Sequence, residues 1–287
     1  MEEKNKIMPS TLYLVATPIG NLDDMTFRAV KTLSECDFIA AEDTRVTAKL
    51  LSAYDIKKPL VTYEEHCKRS AGENIVQRLK NGESCALVTD AGTPAISDPG
   101  EDLVRLCAEN GITVVAVPGA CAAVNALALS GLSTRYFLFE GFLEGKDGAK
   151  IERLNTLSAY PQTLVFYEAP HRLTDTLALM EKTLGGDRRI SLCRELTKRN
   201  EEIVRTTIAE ALKKYTSEAP RGEFVLVVEG RTVQTDCFWE KMTVSEHVSY
   251  YVNNMGLDKM SAVKATAKDR GVPKNTVYKE LLEAENK

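Results

Sequence analysis

The sequence predicts an α/β protein: a mostly parallel sheet covered on both faces, then a second α/β region, then a small all-helical tail. Three observations carry this. Short apolar runs alternate with amphipathic stretches over residues 12–140, as strands buried on both sides require. The alternation resumes after a stretch rich in Gly, Lys, Glu and Asp at 141–150. Residues 243–285 contain no strand pattern, only helical spacing.

In order, residues 12–16 read as a buried strand. Residues 26–35 read as a helix, with Phe27, Val30 and Leu33 at three-residue spacing. A second strand covers 37–41, and 44–54 is a helix capped by Thr44. Residues 84–89 form a strand, 101–110 a helix ended by Gly111, 113–117 a strand, and 120–129 a helix of small residues. The composition at 141–150 predicts a loop or hinge. Beyond it come a strand at 162–167 and a helix at 173–184 stopped by Gly185 and Gly186. Strands at 189–193 and 202–207, a short helix at 208–215 and a strand at 223–229 complete this region. The tail carries helices at 244–254, 259–270 and 275–285. Gly271 stops the second, Asn275 or Thr276 caps the third, and their short connection resembles a helix-turn-helix. The implied domains are 1–118, 119–235 and 236–287.

The chain has 287 residues, 44% of them hydrophobic and 27% charged, which suits two modest domains with real cores. No apolar run of about 18 residues occurs, so no membrane span is expected. The polar start at 1–10 lacks the features of a signal peptide, which points to the cytoplasm. The seven cysteines (36, 67, 85, 107, 121, 193 and 237) have no Cys-x-x-Cys spacing and mostly lie in apolar runs. They read as small buried hydrophobes in a reducing compartment. The three histidines (66, 171 and 247) have no metal-ligand spacing, so no metal is expected. The net charge of −4 does not mark a nucleic-acid binder. The tail differs: between 259 and 279, Lys259, Lys264, Lys268, Arg270, Lys274 and Lys279 face a single acid, Asp269. That run is either a solvated face or an RNA contact.

In open α/β sheets, ligands sit beyond the carboxyl ends of strands, so the loops there carry most information. The first, 16–24, contains Gly20, which allows close backbone approach, but it is not the Gly-x-Gly-x-x-Gly dinucleotide fingerprint. The second, 89–100, holds two glycines, two prolines and two aspartates. Asp98 either joins its polar groups or caps the next helix. The third, 117–123, is built of small residues that admit a flat ring or pack the helix onto the sheet. The fourth, 166–172, ends in His171 and Arg172, and the fifth, 194–202, packs three bases and three acids into nine residues. Asp43-Thr44-Arg45 and Glu64-Glu65-His66 add charge at two further ends.

Taken in order, residues 12–22, 41–45, 89–100, 167–172 and 194–198 resemble the tetrapyrrole-methylase superfamily, and within it the branch that methylates small-subunit ribosomal RNA. The resemblance spans roughly 12–230, and the helical tail fits it. It implies two α/β domains with a cofactor cleft between them, commonly in a homodimer, and S-adenosylmethionine as cofactor. The implied substrate is small-subunit (16S) ribosomal RNA, free or in the assembled 30S subunit, methylated at the ribose 2′-oxygen of a cytidine in the decoding region. Carried over by position, the implied cofactor contacts are Pro18, Ile19, Gly20, Asn21, Asp90, Ala91, Gly92, Ala95, Cys121, Ala122, Glu168 and Leu196. The first loop is poorer in glycine than in porphyrin-precursor methylases. A cysteine stands at 121 where a hydroxyl residue is often found, which leaves the backbone contact.

Any general base for the ribose hydroxyl would come from Glu65, His66, Glu168 or Glu195 on residue type and loop position. Arg172, Arg194, Lys198 and Arg199, with Lys264, Lys268 and Lys274 of the tail, are the RNA-contact candidates. Two alternatives share the fold: a methyltransferase of a tetrapyrrole or corrin precursor, and a non-catalytic RNA-binding assembly factor. An unrelated nucleotide-binding enzyme lacks its dinucleotide or P-loop fingerprint.

Overall fold

A computed structural model describes residues 6–64, 68–231 and 238–285. The chain divides into two compact units, residues 1–231 and 232–287.

The larger unit contains two five-stranded sheets. The first is β1 (Thr11–Val15), β2 (Phe38–Ala41), β3 (Leu60–Thr62), β4 (Cys85–Val88) and β5 (Thr113–Val117), in the order β3-β2-β4-β1-β5. Every pair in it is parallel. Consecutive strand residues point to opposite faces, and both faces are dry. Leu12, Phe38 and Leu87 join one cluster with Ile75 and Leu79 of α3 (Lys68–Lys80) and Leu103 of α4 (Glu101–Glu109). Their neighbours Tyr13, Ile39 and Ala86 join the opposite cluster with Leu33 of α1 (Phe27–Glu35) and Leu51 of α2 (Thr44–Ala53). Burial on both faces is why these strands read as unbroken apolar runs.

The second sheet is β6 (Phe137–Phe142), β7 (Thr163–Glu168), β8 (Arg189–Arg194), β9 (Glu202–Thr207) and β10 (Phe224–Val228), in the order β6-β7-β10-β8-β9. β6 and β7 are parallel and the other pairs antiparallel. One face packs on α6 (Asp147–Ser158), α7 (Leu173–Leu184) and α8 (Ile208–Ser217) through Leu154, Leu177, Met180 and Ile208. The other packs on α5 (Ala122–Leu129) through Ala123, Ala126 and Leu127.

Most strands and helices fall within one or two residues of the predicted bounds. Four departures have physical reasons. The predicted loop at 141–150 is mostly ordered element: Gly141, at φ +71°, makes a bulge that bends β6 without ending it, and Asp147 opens α6. Asp43, not Thr44, caps α2, its carboxylate accepting the Arg45 N–H at 2.8 Å. The helix expected from 120 starts at Ala122. Asn275 and Thr276 lie inside the last helix rather than at its cap. Cys36, Cys85, Cys107 and Cys193 are buried free thiols and Cys121 is half-buried, while Cys67 and Cys237 lie outside the described residues. No helix among the described residues is long and apolar enough to cross a membrane.

The smaller unit comprises α9 (Val244–Met255), α10 (Lys259–Asp269) and α11 (Lys274–Glu285) around Val248, Val263, Val277 and Leu281. Thr243 and Glu246 form a capping box on α9, and Asp258 caps α10. His247 is fully buried, stacked between Trp239 and Tyr251. Arg270 donates to its Nδ1 at 3.2 Å, and Asp269 lies 3.3 Å from its Nε2. Burial, then the Arg270 charge, pushes the His247 pKa below its ordinary 6.5, against the pull of Asp269.

Because the folded state resists protonating His247, its contribution is complete above pH ~6.5 and shrinks as pH falls below that value. Thermal melting of this unit within the full chain should therefore weaken between pH 7.5 and 5.5. The pH dependence should flatten in His247→Phe. An equally steep dependence in that variant would contradict this assignment.

Candidate active site

A cavity of about 460 Å³ opens where the loops at the carboxyl ends of the first sheet meet the second sheet. From the first side come Ile19, Ala91, Gly92, Thr93, Ile96 and Asp98, with Cys121 and Ala122 at the start of α5. From the second come Phe142, Tyr167, Glu168, Cys193, Leu196, Phe224 and Val225, with His171 on the loop after β7.

Backbone pairing fixes the first side. The Thr17 N–H donates to the Gly92 carbonyl at 2.8 Å and the Gly92 N–H donates back at 3.1 Å, joining the loops after β1 and β4. The Thr17 hydroxyl donates to the Thr89 carbonyl at 3.1 Å, and the Thr93 hydroxyl to the Ala120 carbonyl at 3.0 Å, which brings in the loop after β5. Gly119 lies so close to Ala16 that an added Cβ would stand 2.8 Å from the alanine methyl. The small residues of the third loop thus serve loop packing as well as the cavity wall.

Strain concentrates around the cavity. Six described non-glycine residues have positive φ, and four sit in the two loops that border it: Ala95, Ser97, Glu195 and Thr197. Such conformations cost about 1–3 kcal/mol each and persist only where surrounding contacts hold them. β6 comes close to the Ser97 loop at Gly141, where an added Cβ would stand 2.8 Å from the Ser97 hydroxyl.

Cys121 sits at the N-cap of α5 but makes no side-chain capping bond. The Tyr167 hydroxyl replaces it, accepting the Ala123 N–H at 3.2 Å from across the cleft. Phe139 and Phe142 pack edge-on against that ring. Burial pushes the Tyr167 phenol up to about 12, so it remains a neutral wall.

Three carboxylates line the cavity. Glu168 is buried, accepting the Ala169 N–H at 2.9 Å and the Thr176 hydroxyl at 2.5 Å, with Arg172 at 3.7 Å. Glu223 has a 79% exposed side chain and pairs with Lys198 at 2.8 Å. Asp98 is pushed up to about 6, first by burial and then by the negative charges of Glu42 and Asp90, with the nearby Thr89 hydroxyl, which donates to Glu42 at 2.7 Å, pulling the other way.

Of the cofactor contacts expected from sequence, Ile19, Ala91, Gly92, Cys121, Ala122, Glu168 and Leu196 line the cavity. Pro18, Gly20, Asn21, Asp90 and Ala95 do not. Asn21 caps a single helical turn at Leu22–Asp24, and Gly20 lies beneath the Lys198 stem. Asp90 accepts the Asp43 N–H at 3.2 Å, and the Ala95 N–H donates to Pro99 at 3.3 Å. Glu65 and His66 lie outside the described residues. Glu195 is committed to the Glu223 N–H at 3.0 Å and to Lys198 at 2.9 Å, contacts that hold its carboxyl below the usual range despite some burial. Arg172 donates to the Leu143 carbonyl, Arg194 to Arg221 and Glu202, and Lys198 to Glu195 and Glu223. Arg199 is exposed, as are Lys264, Lys268 and Lys274 in the smaller unit. Sequence reasoning missed Thr93, Phe142, Tyr167 and Asp98 as site residues. For Asp98 the structure decides between the two sequence readings: α4 is capped by Gly100 with no side-chain bond, so the aspartate has no capping duty.

Glu168→Ala removes the acceptor of one buried and one part-buried donor. It should destabilise the larger unit by roughly 2 kcal/mol or more in denaturant unfolding. Unchanged stability would mean that these donors find other partners.

Residues 11–212 match the family described as Tetrapyrrole (Corrin/Porphyrin) Methylases. The chain is 49% identical over 271 residues to the Ribosomal RNA small subunit methyltransferase I of Bacillus subtilis (strain 168), covering 93% of this chain and 92% of that one. It is 44% identical over 275 residues to the protein of the same name from Pasteurella multocida (strain Pm70), covering 95% and 96%. Among solved structures it resembles a cobalt precorrin-4 methyltransferase (TM-score 0.57, 18% identity, 76% of this chain and 94% of that one). It also resembles a diphthine synthase (TM-score 0.60, 13% identity, 77% and 90%). At these identities the solved structures speak for the fold, and the sequence matches carry the family. The two sheets, the loop-built cleft between them and the match over 11–212 agree: the chain belongs to the tetrapyrrole (corrin/porphyrin) methylases.

Proposed function

We propose that the chain transfers the methyl group of S-adenosylmethionine to the ribose 2′-oxygen of a cytidine in small-subunit ribosomal RNA. The observation that carries this is similarity at 42–49% identity, mostly over nearly the whole chain, to relatives named for that RNA. The tetrapyrrole-precursor reading has in its favour the family's description and fold likeness at 18–19% identity.

The cavity fits the cofactor. Its size is that of small-molecule sites. Gly92, Ala91, Cys121 and Ala122 leave room for a flat ring against backbone. When bound, S-adenosylmethionine supplies a methyl group already activated by its positively charged sulfur. The protein's part is positioning, and holding two reactants in line can lower the barrier by about 7–11 kcal/mol. Thr17, Gly92 and Thr93 fix the loops, and Tyr167 and Phe142 wall the cleft against water.

On the RNA side, Arg199, Lys264, Lys268 and Lys274 are exposed cations suited to phosphate. Arg172, Arg194 and Lys198 are held by internal partners, so they shape the loops before they meet RNA. The division into 1–118, 119–235 and 236–287 suits this reading: the first sheet ends at Val117, and α5 already packs on the second. We take the protein to act in the cytoplasm as a homodimer. Phe27, 97% exposed, is a side chain that a subunit contact would cover.

The test is transfer from labelled S-adenosylmethionine to small subunits lacking the modification, followed by nucleoside mass analysis. The expected product is 2′-O-methylcytidine. Cofactor binding without transfer would refute the substrate, and no binding would refute the whole reading. Charge reversal of Lys264, Lys268 and Lys274 to Glu should weaken RNA binding at least tenfold near 0.1 M salt and flatten its salt dependence. Cofactor affinity should stay unchanged. Unaltered RNA binding would make these lysines a solvated face.

A further inference from the structure

The geometry points to Asp98 as the group that accepts the proton of the substrate hydroxyl, an inference that rests on the cleft being the methyl-transfer site. The catalytic acids considered from sequence do not include it.

The argument begins with the three cavity carboxylates. Glu168 has both oxygens engaged by donors, the Ala169 N–H and the Thr176 hydroxyl, so taking up a proton there would break existing bonds. Glu223 is spent on Lys198 at the exposed rim. Asp98 differs from both: among the described residues no cation lies within ion-pair distance of it. The charges around it are acidic, Glu42 at the end of β2 and Asp90 on its own loop. The Thr89 hydroxyl, which donates to Glu42 at 2.7 Å, and Tyr167 of β7 lie nearby. A carboxylate without a cation partner, half-withdrawn from water, is a stronger base than an ordinary surface aspartate. Its pKa of about 6 leaves it ionised at neutral pH yet within reach of a proton.

Its placement is also fixed. Ser97 before it has φ +60°, Pro99 follows, and the Ala95 N–H closes the loop onto the Pro99 carbonyl at 3.3 Å. Gly141 of β6 stands close by on the other sheet, where an added Cβ would come within 2.8 Å of the Ser97 hydroxyl. The carboxyl therefore stands on a rigid loop at the seam of the two sheets. In the reaction, the ribose hydroxyl gives its proton to Asp98 while the oxygen lone pair bonds the methyl carbon. The carbon–sulfur bond breaks with its electron pair left on sulfur, and Asp98 later returns its proton to water.

The test compares wild type with Asp98→Asn in single-turnover methyl transfer to unmodified small subunits across pH 5–8.5, with S-adenosylmethionine affinity measured by calorimetry. The wild-type rate should rise through about pH 6 and level off. Asp98→Asn, nearly identical in shape, should keep its affinity within about threefold, which also reports that it folds. Its rate should fall by about 10²–10⁴-fold and lose the inflection. A wild-type rate in Asp98→Asn overturns the inference and leaves the methyltransferase reading intact. So does an inflection that persists in the variant, which would assign the base to another group such as His171. A loss of affinity that accounts for the whole defect likewise overturns it. Failure of the wild type to methylate any subunit is a distinct result that overturns both.

Discussion

The reciprocal backbone pair between Thr17 and Gly92 is the constraint on which the site depends. A parallel sheet leaves the loops at its carboxyl ends independent of one another. Here two hydrogen bonds of 2.8 and 3.1 Å join the loops after β1 and β4. The Thr17 and Thr93 hydroxyls extend the tie to the strand end at Thr89 and to the loop after β5. Gly92, at φ +88°, is the residue that allows the turn. Without this lacing the cavity would have one firm wall, the second sheet, and one loose one.

The strain that the loops carry follows from the same arrangement. Ala95, Ser97, Glu195 and Thr197 hold left-handed backbones in the two loops that border the cleft. Dry packing on both faces of each sheet sets the loops on rigid strand ends and offsets that cost. The cap of α5 shows the coupling: Cys121 makes no capping bond, and Tyr167 of the second sheet supplies the acceptor. The second sheet thus completes the hydrogen bonding of the α5 start.

Much of this was legible in the sequence, for a physical reason. Strands buried on both faces must be apolar throughout, so β1, β2 and β4 stand out as runs; β5, a partly exposed edge strand, is apolar as well. β3 has only three half-buried or exposed residues, and α3 has a weak apolar face, so both escaped. β6 was hidden because Gly141 looks like a loop residue, whereas it marks a bulge. In the site, seven positions carried over from the family resemblance line the cavity. Asp90 and Asn21 belong to the same motifs yet serve the loops themselves. Charge by itself did not reveal the internal pairing of Glu195, Arg194 and Lys198, because sequence does not tell a cation awaiting phosphate from one already paired. Asp98 was passed over for the converse reason: its lack of a partner is visible only in three dimensions.

The central claim is that one cleft, built from loops of both sheets, receives the cofactor. A crystal structure of the protein with S-adenosylhomocysteine tests it most directly. The account predicts density in the 460 Å³ cavity, touching Gly92, Cys121 and Ala122 on one side and Tyr167 or Leu196 on the other. Density elsewhere, or contacts confined to one sheet's loops, would contradict it.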